Sequence, residues 1–163
     1  MPAATHRAGI TVSNWQPALA ADFRRLNVEW LEEFFRVEPI DERVLSNPQQ
    51  EIIDARGEIL FALLDGQAIG TAALKWQGPG RFELTKMAVT REFRGQGVGR
   101  LLVNAAIERF ANLGGTELYL ESHSSLLPAL KLYESVGFRH APRPGGPSPY
   151  DRADVYMVYR PGA

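Results

Sequence analysis

The chain has 163 residues, 45% of them apolar and 23% charged, with 18 basic and 19 acidic residues. These values are typical of a globular protein of one domain, and the net charge of −1 argues against a dedicated nucleic-acid-binding protein. Cysteine is absent, which excludes disulfides, a thiol nucleophile and thiolate metal sites, and no apolar run is long enough to span a membrane.

The N-terminal residues and the histidines bear on cellular location and metal binding. Residues 1–8 contain no apolar segment of the kind that signal peptides need, so we expect a cytoplasmic protein. We also expect one domain over residues 1–163, with residues 1–8 flexible. Three histidines are scattered along the chain and predict no metal site: His6, His123 and His140.

The first third of the chain predicts one strand followed by helices. Weak alternation over Gly9–Trp15 indicates a short strand. Apolar residues at helical spacing over Ala18–Phe35 predict a helix, and Asn27 suggests a break that divides it into two pieces. Asn47 is expected to be the N-cap of a further helix that extends to Asp54.

The centre of the chain changes to the short-spaced pattern of strands. Apolar segments at Glu58–Leu64, Ala68–Trp76 and Arg81–Val89 follow one another closely. Asp65-Gly66, between the first two, is a strong signal for a hairpin turn. The three segments therefore predict an antiparallel meander.

Three glycines at alternate positions follow the third of these strands, in the sequence Arg94-Gly95-Gln96-Gly97-Val98-Gly99-Arg100. A helix with an apolar face begins directly after them. Glycines let the backbone approach a ligand closely, and the first N–H groups of a helix have no partner within it. The turn therefore predicts an anion site, most simply for phosphate, to which Arg91, Arg94 and Arg100 add charge. Gly97 and Gly99 are expected to be required for the turn itself.

The last third predicts a parallel unit. The helix after the glycines ends at Gly114-Gly115 and precedes a strand over Thr116–Leu120, so the strands on either side of it should be parallel. A second helix should start near Ser124 or Ser125 and end at Gly137. Two strands complete the chain, one from Phe138 to Ala141 and one from Asp154 to Tyr159. The predicted fold class is α/β, with an antiparallel N-terminal meander that leads into a parallel β-α-β unit flanked by helices.

Two motifs in this order resemble a known superfamily. Arg94-x-x-Gly97-x-Gly99 resembles the acyl-CoA signature of the GCN5-related N-acetyltransferases (GNAT), and Ala129-x-x-Leu132-Tyr133-x-x-x-Gly137-Phe138 resembles their tyrosine helix. The segment Glu83–Val89 is similar to the fourth strand of the same superfamily. Alone the glycine turn would be weak evidence, but two motifs about thirty residues apart make the resemblance specific. It implies a GNAT-like mixed sheet, acetyl-CoA as co-substrate and attack of an amine on the thioester without an acyl-enzyme.

The resemblance also implies where the co-substrate binds. The pyrophosphate of CoA should lie on backbone N–H groups of the turn, and the pantetheine arm should run along the end of the fourth strand. The cofactor-binding residues expected on this basis are Met87, Ala88, Val89, Arg94, Gly95, Gln96, Gly97, Val98, Gly99 and Arg100.

Two proton transfers then remain for side chains. Tyr133 matches the tyrosine that the superfamily uses as the acid, although its position on the helix also suits core packing. Glu83 is the best candidate for the base, directly or through water, although it could instead lie on a solvated face of its strand. His123 is more readily a structural neighbour of the tyrosine helix than a proton carrier.

The acceptor is less well defined by the sequence. Glu83 and Glu121 could attract a cationic amine, and the candidate pocket walls are apolar, namely Trp30, Phe34, Phe35 and Trp76. Together these features favour a small amine or a peptide N-terminus. The weak candidates for substrate binding are Phe34, Trp76, Glu121 and Tyr150, together with Asp151 and Arg152. The last three residues of this set fit a turn before the final strand slightly better than a substrate pocket.

Three functions compete. The first is transfer of an acetyl group from acetyl-CoA to a primary amine of a small molecule or peptide, and the second is a non-catalytic acyl-CoA-binding module of the same fold. The third is a dinucleotide-binding or nucleotide-hydrolysing domain. It fits poorly because the glycines are spaced G-x-G-x-G, follow a meander, and are not followed by the Lys-Ser/Thr of a phosphate-transfer loop. We expect no nucleic-acid or membrane partner, and a homodimer is a common outcome in the superfamily.

Overall fold

A seven-stranded mixed sheet, in the order β1-β2-β3-β4-β5-β7-β6, forms the centre of the molecule in a computed structural model that describes residues 9–162. The expected flexibility of residues 1–8 lies outside the described residues. The strands are β1 (Ile10–Ser13), β2 (Glu58–Leu64), β3 (Gln67–Trp76), β4 (Arg81–Val89), β5 (Glu117–Ser122), β6 (Phe138–His140) and β7 (Val155–Tyr159).

Strand pairing confirms both halves of the predicted fold. β1 to β4 form an antiparallel meander, and β4 and β5 are the parallel pair. The parallel ladder contains three residue pairs and ends where Glu83 faces Tyr119. Beyond that point the two strands separate, which leaves the backbone of residues 84–89 on the β5 side without a strand partner. The sequence did not predict that β7 inserts between β5 and β6.

Four α-helices cover the two faces of the sheet. They are α1 (Ala20–Phe34), α2 (Pro39–Ser46), α3 (Val98–Asn112) and α4 (Leu127–Val136). One core contains residues of α3 and α4 with β-strand residues such as Leu84 and Leu120, and the other contains residues of α1 and α2 with Ile59 and Phe61. Adjacent strand residues point to opposite faces, so Leu60 joins the α3 side while its two neighbours join the α1 side.

Three predicted boundaries are wrong for identifiable reasons. Asn27 does not break α1, because its buried side-chain amide donates a hydrogen bond to the Phe23 carbonyl one turn earlier. Asn47 is not an N-cap; it ends α2, and the π-helical turn Gln49–Ile53 follows. α4 begins at Leu127, because Ser124 instead binds the carboxylate of Asp154 through its N–H and its hydroxyl.

A β-bulge interrupts β4 in the segment that leads to the glycine turn. Thr71 pairs with Ala88 and Ala73 pairs with Thr85, so Lys86 and Met87 both lie opposite Ala72. Lys86 has a φ of 53°, which is uncommon for a residue with a side chain. The bulge lies just beyond the point where β4 and β5 separate, and it directs Lys86 into the protein on the side of α2.

Candidate active site

The glycine turn before α3 has the backbone form that an anion site requires. Gly95 and Gly97 have φ values of 77° and 84°, a region that residues with a Cβ rarely occupy. Gly99 has a different role from the predicted one: it lies inside α3, where an added Cβ would come within 3.3 Å of Leu132 Cδ2 on α4. The turn itself therefore needs Gly95 and Gly97, while Gly99 allows α3 and α4 to pack closely.

The backbone N–H groups of this turn are available to a ligand. Those of residues 95–100 donate no hydrogen bond to any residue in the range 9–162, and the first bond of α3 is donated by Leu101 to the Gly97 carbonyl. The Arg94 N–H is not available, because it donates to the Arg91 carbonyl. With the partial positive charge at the start of a 15-residue helix, these groups are suited to binding an anion such as phosphate.

Two of the arginines at the turn are held by α1. Arg94 Nη1 lies 2.8 Å and Arg91 Nη2 3.1 Å from Glu33 Oε1. Glu29 accepts a hydrogen bond from the Arg91 backbone N–H at 2.9 Å. The hydrogen bond from Arg94, together with that from Arg91, outweighs the opposing effect of desolvation and holds the pKa of Glu33 below its usual value. Of the turn's arginines, only Arg100 has no carboxylate partner among the described residues, so its charge is available to a ligand.

A cavity opens where β4 and β5 separate, and we call it the central cavity. It is lined by residues of α1, β4, β5, α4 and the segment 150–153. Both predicted catalytic residues, Glu83 and Tyr133, line it, as do Met87, Glu121 and Tyr150. The structure therefore brings together residues that are up to 126 positions apart in the chain, from Asn27 to Ala153.

Glu83 is buried rather than solvated, with 4% of its surface exposed. Burial raises the pKa of its carboxyl group, and the nearby carboxylate of Glu121 raises it further, while Lys86 opposes the shift. Its one hydrogen bond within the described residues is accepted by Oε1 from the Gln77 amide at 3.2 Å. A carboxylate in this setting is a stronger proton acceptor than an exposed one.

Tyr133 approaches the cavity from α4, on the other face of the sheet. Its ring packs edge-on against Phe138 at 5.9 Å, so the residue is partly core, as the sequence suggested. Burial raises the pKa of its hydroxyl group to about 12. The group is therefore neutral and a proton donor at pH 7, and it makes no hydrogen bond to any residue of the described chain.

A buried ionic cluster lies at one side of the cavity. It consists of Glu38, Asp41, Lys86 and Arg152. Lys86 Nζ lies 2.7 Å from Asp41 Oδ1, and Arg152 donates to both oxygens of the same carboxylate at 2.7 and 2.9 Å. Burial alone would raise the pKa of Asp41, but the hydrogen bonds of Arg152 and the charge of Lys86 outweigh it and lower the pKa to about 2.

The cluster was only partly foreseeable from the sequence. Arg152 was a weak candidate for the substrate pocket, and the other three members were missed. A lysine within the apolar run of β4 was one available signal. The spacing of Glu38 and Asp41 around Pro39 was another, since these two carboxylates form the capping box at the start of α2.

The remaining candidates are divided between the cavity and other places. Tyr150 lies in the cavity wall. Lys86 Nζ and the Arg152 guanidinium lie over its ring, each 4.9 Å from the ring centroid. Glu121 lines the cavity but is paired with Arg143 at 2.9 Å. His123 also lines it and contacts Phe35 edge-on at 5.4 Å.

Five of the remaining candidates lie outside the cavity lining, and one of them, Asp151, is paired with Arg36 at the surface. Phe34 is 44% exposed and packs against Trp30 and the Arg94 guanidinium. Trp76 lies under Arg56 at 5.0 Å. Ala88 belongs to the core on the α1 side, and Val89 packs against the opposite core.

Known proteins match this chain in sequence and in fold. Residues 21–138 match the model of the acetyltransferase (GNAT) family. An uncharacterized N-acetyltransferase of Schizosaccharomyces pombe is 35% identical over 123 residues, covering 72% of this chain and 75% of the relative. An acetyltransferase of the GNAT family from Staphylococcus aureus superposes with a TM-score of 0.82 at 17% identity, over 91% of this chain and 97% of that one.

A further solved structure bears on the co-substrate. An acetyltransferase from Salmonella typhimurium, solved with its cofactor acetyl-CoA, superposes with a TM-score of 0.73 at 18% identity, over 94% of each chain.

The chain belongs to the GNAT acetyltransferase family, as the two sequence motifs predicted. It is accordingly an acyltransferase, and acetyl-CoA is the co-substrate that fits the family. Within residues 9–162, no helix has the length and apolar character to cross a membrane, and no group of acidic or histidine side chains is arranged to hold a metal ion.

Proposed function

We propose that the protein transfers the acetyl group of acetyl-CoA to a primary amine of a small molecule or a peptide, by direct attack and without an acyl-enzyme. The observation that carries this proposal is that Glu83 and Tyr133 line the same cavity, at the place where β4 and β5 separate. The chain has no cysteine to form a thioester with the protein, which agrees with direct attack.

The residues around the turn fit the co-substrate. Free N–H groups of residues 95–100 and the unpaired Arg100 would hold the pyrophosphate. The unpaired edge of β4 from Met87 to Val89 would hold the amides of the pantetheine arm. Acetyl-CoA supplies the activated acetyl group as a thioester.

The two proton transfers are assigned to the two sides of the cavity. An amine arrives as an ammonium ion and must lose a proton before it attacks, and Glu83 takes that proton, directly or through a water molecule. Its raised pKa makes it a better match for this task than an exposed glutamate. Tyr133 is a neutral donor that gives its proton to the departing thiolate of CoA, and its hydroxyl has no competing partner in the described chain.

The proposal is tested in two stages. Calorimetric titration with acetyl-CoA, CoA, ATP and NADH should show binding of the first two only. A panel of amines is then screened with a thiol-detecting dye, which sees only released CoA because the protein has no cysteine. Binding without release from any amine would favour the acyl-CoA-binding module, and a preference for NADH or ATP would overturn both readings. A homodimer and a cytoplasmic location stay predictions, for sedimentation analysis and cell fractionation to test.

A further inference from the structure

We propose that the acceptor is an amine with one positive charge, an apolar body and no carboxylate or phosphate group. This inference rests on the proposed function and makes its substrate class more specific. It follows from how charge is distributed around the central cavity.

The basic side chains at the cavity already have carboxylate partners. Lys86, His123 and Arg152 are the basic residues of the described chain that line it. Lys86 and Arg152 are bound to Asp41, and Arg152 also reaches Glu38 at 3.0 Å. His123 Nε2 lies 3.8 Å from Asp154 Oδ2. An acidic group on an acceptor would therefore enter the cavity without a cation to receive it, and burying such a charge is unfavourable.

The negative charges are not balanced in the same way. Glu121 is paired with Arg143, but Glu83 accepts only the hydrogen bond of a neutral amide, from Gln77. The positive charges that act to lower the pKa of Glu83 belong to Lys86, which is paired with Asp41, and to Lys75, which does not line the cavity. A single ammonium ion would supply the charge that the buried carboxylate lacks.

The rest of the wall suits an apolar body. Trp30 and Phe35 lie in the lining with their rings 5.8 Å apart, beside Leu31 and Leu126. The Tyr150 ring is less available to contact the acceptor, because two cations already contact it. A second charge on the acceptor, as in a polyamine, would face these apolar side chains. The cavity therefore suits an arylalkyl or alkyl monoamine.

The test compares amines that differ by one carboxylate. Phenethylamine and phenylalanine, and likewise tryptamine and tryptophan, are titrated into the complex of the protein with CoA and then assayed for CoA release from acetyl-CoA. We expect the member without the carboxylate to bind, and to be acetylated, at least about 100-fold better. Equal or better binding of the amino acid, or binding of spermidine but of neither monoamine, would overturn the inference. Because binding is measured without turnover, failure of catalysis is distinguished from failure of this inference.

A substitution tests the cause of the preference. In Asp41→Asn, Lys86 and Arg152 lose their shared carboxylate, so the preference for the amine over the amino acid should fall at least about tenfold. Glu38→Gln neutralises the more distant carboxylate partner of Arg152 while keeping an oxygen that can cap α2, and it should lower the preference less. Circular dichroism and the affinity for acetyl-CoA show whether each variant is folded. An unchanged preference in either folded variant would contradict the charge argument, and Glu38→Gln provides this test even where Asp41→Asn does not fold.

Discussion

The glycine turn takes its chemistry from the backbone of a few consecutive residues, whereas the central cavity takes its chemistry from side chains of several separate segments. The turn needs two left-handed glycines and the start of α3, all within residues 95–101. The cavity needs α1, β4, β5, α4 and the segment 150–153 to meet. Substitutions at the turn should therefore affect binding of acetyl-CoA, and those at the cavity should affect turnover, acceptor choice or stability.

The largest effect is expected at the turn. Gly97→Glu places a carboxylate and a Cβ at a residue whose φ is 84°, against the proposed pyrophosphate site. Affinity for acetyl-CoA, measured by calorimetry, should fall about 1,000-fold because like charges are brought together. Gly66→Glu is the matched control: its φ is 79° and its Cβ would meet no atom within 4 Å, at the hairpin between β2 and β3. Equal losses in both variants would mean that strain, and not the phosphate site, is responsible.

The buried ionic cluster should dominate the stability of the cavity. Asp41→Asn leaves Lys86 and Arg152 without their shared carboxylate, so the free energy of unfolding should fall by about 3–5 kcal/mol in urea denaturation. Asp151→Asn is the control, because its pair with Arg36 is exposed on both sides and should contribute little. A similar small loss in both variants would show that the cluster does not hold the cavity together.

The same cluster predicts a dependence of stability on pH. The pKa of Asp41 is about 2 in the folded protein against 3.8 for an ordinary aspartate. Its ionised form therefore contributes stability above pH 3.8, about 2 kcal/mol, and that contribution is lost as the pH falls towards 2. Unfolding of Asp41→Asn should lack this part of the pH dependence when the two proteins are compared from pH 5 to pH 2.

Loss of the proposed base should separate turnover from binding. Glu83→Gln should lower kcat about 100-fold while acetyl-CoA binds as before. Because burial raises the pKa of Glu83, kcat/KM of the native protein should decrease as the pH falls through that raised pKa and the carboxylate is protonated. In the variant, kcat/KM should not show this decrease at low pH. A decrease like that of the native protein would assign the base to another group.

The proposed acid should show a smaller effect at the same cavity. Tyr133→Phe removes only the hydroxyl and keeps the ring that packs against Phe138. We expect kcat to fall about tenfold, with the affinity for acetyl-CoA and the melting temperature unchanged. Turnover equal to that of the native protein, measured by CoA release, would remove Tyr133 from the mechanism.

The smallest effect is expected where α1 meets the turn. Glu33→Gln weakens the pairs to Arg91 and Arg94, which lie at the surface and are screened by solvent. Affinity for acetyl-CoA should change less than about threefold, and the change should disappear at high salt. A large loss that persists in salt would show that α1 determines the shape of the turn, and the comparison between a local turn and an assembled cavity would no longer hold.

Much of the fold was predictable from local patterns. Closely spaced apolar segments and the Asp65-Gly66 turn marked β2 to β4, and a helix between two strands implied the parallel pair of β4 and β5. The errors arose where a side chain found a partner that the sequence did not reveal, as Asn27 did with a carbonyl of its own helix and Ser124 did with Asp154. Local propensity is a weak guide wherever such a contact competes with it.

The candidate site likewise combines features that the sequence predicts with features that depend on tertiary contacts. The sequence by itself determined the glycine turn, because positive φ values and unpaired N–H groups are properties of a short segment. It also indicated Tyr133 and Glu83 through the family motifs. Only the tertiary structure decided that Glu83 is buried, that Arg152 and Lys86 share Asp41, and that Phe34 lies outside the cavity. Burial and ion pairing depend on which distant segments pack together, and periodicity along one segment carries no information about that choice.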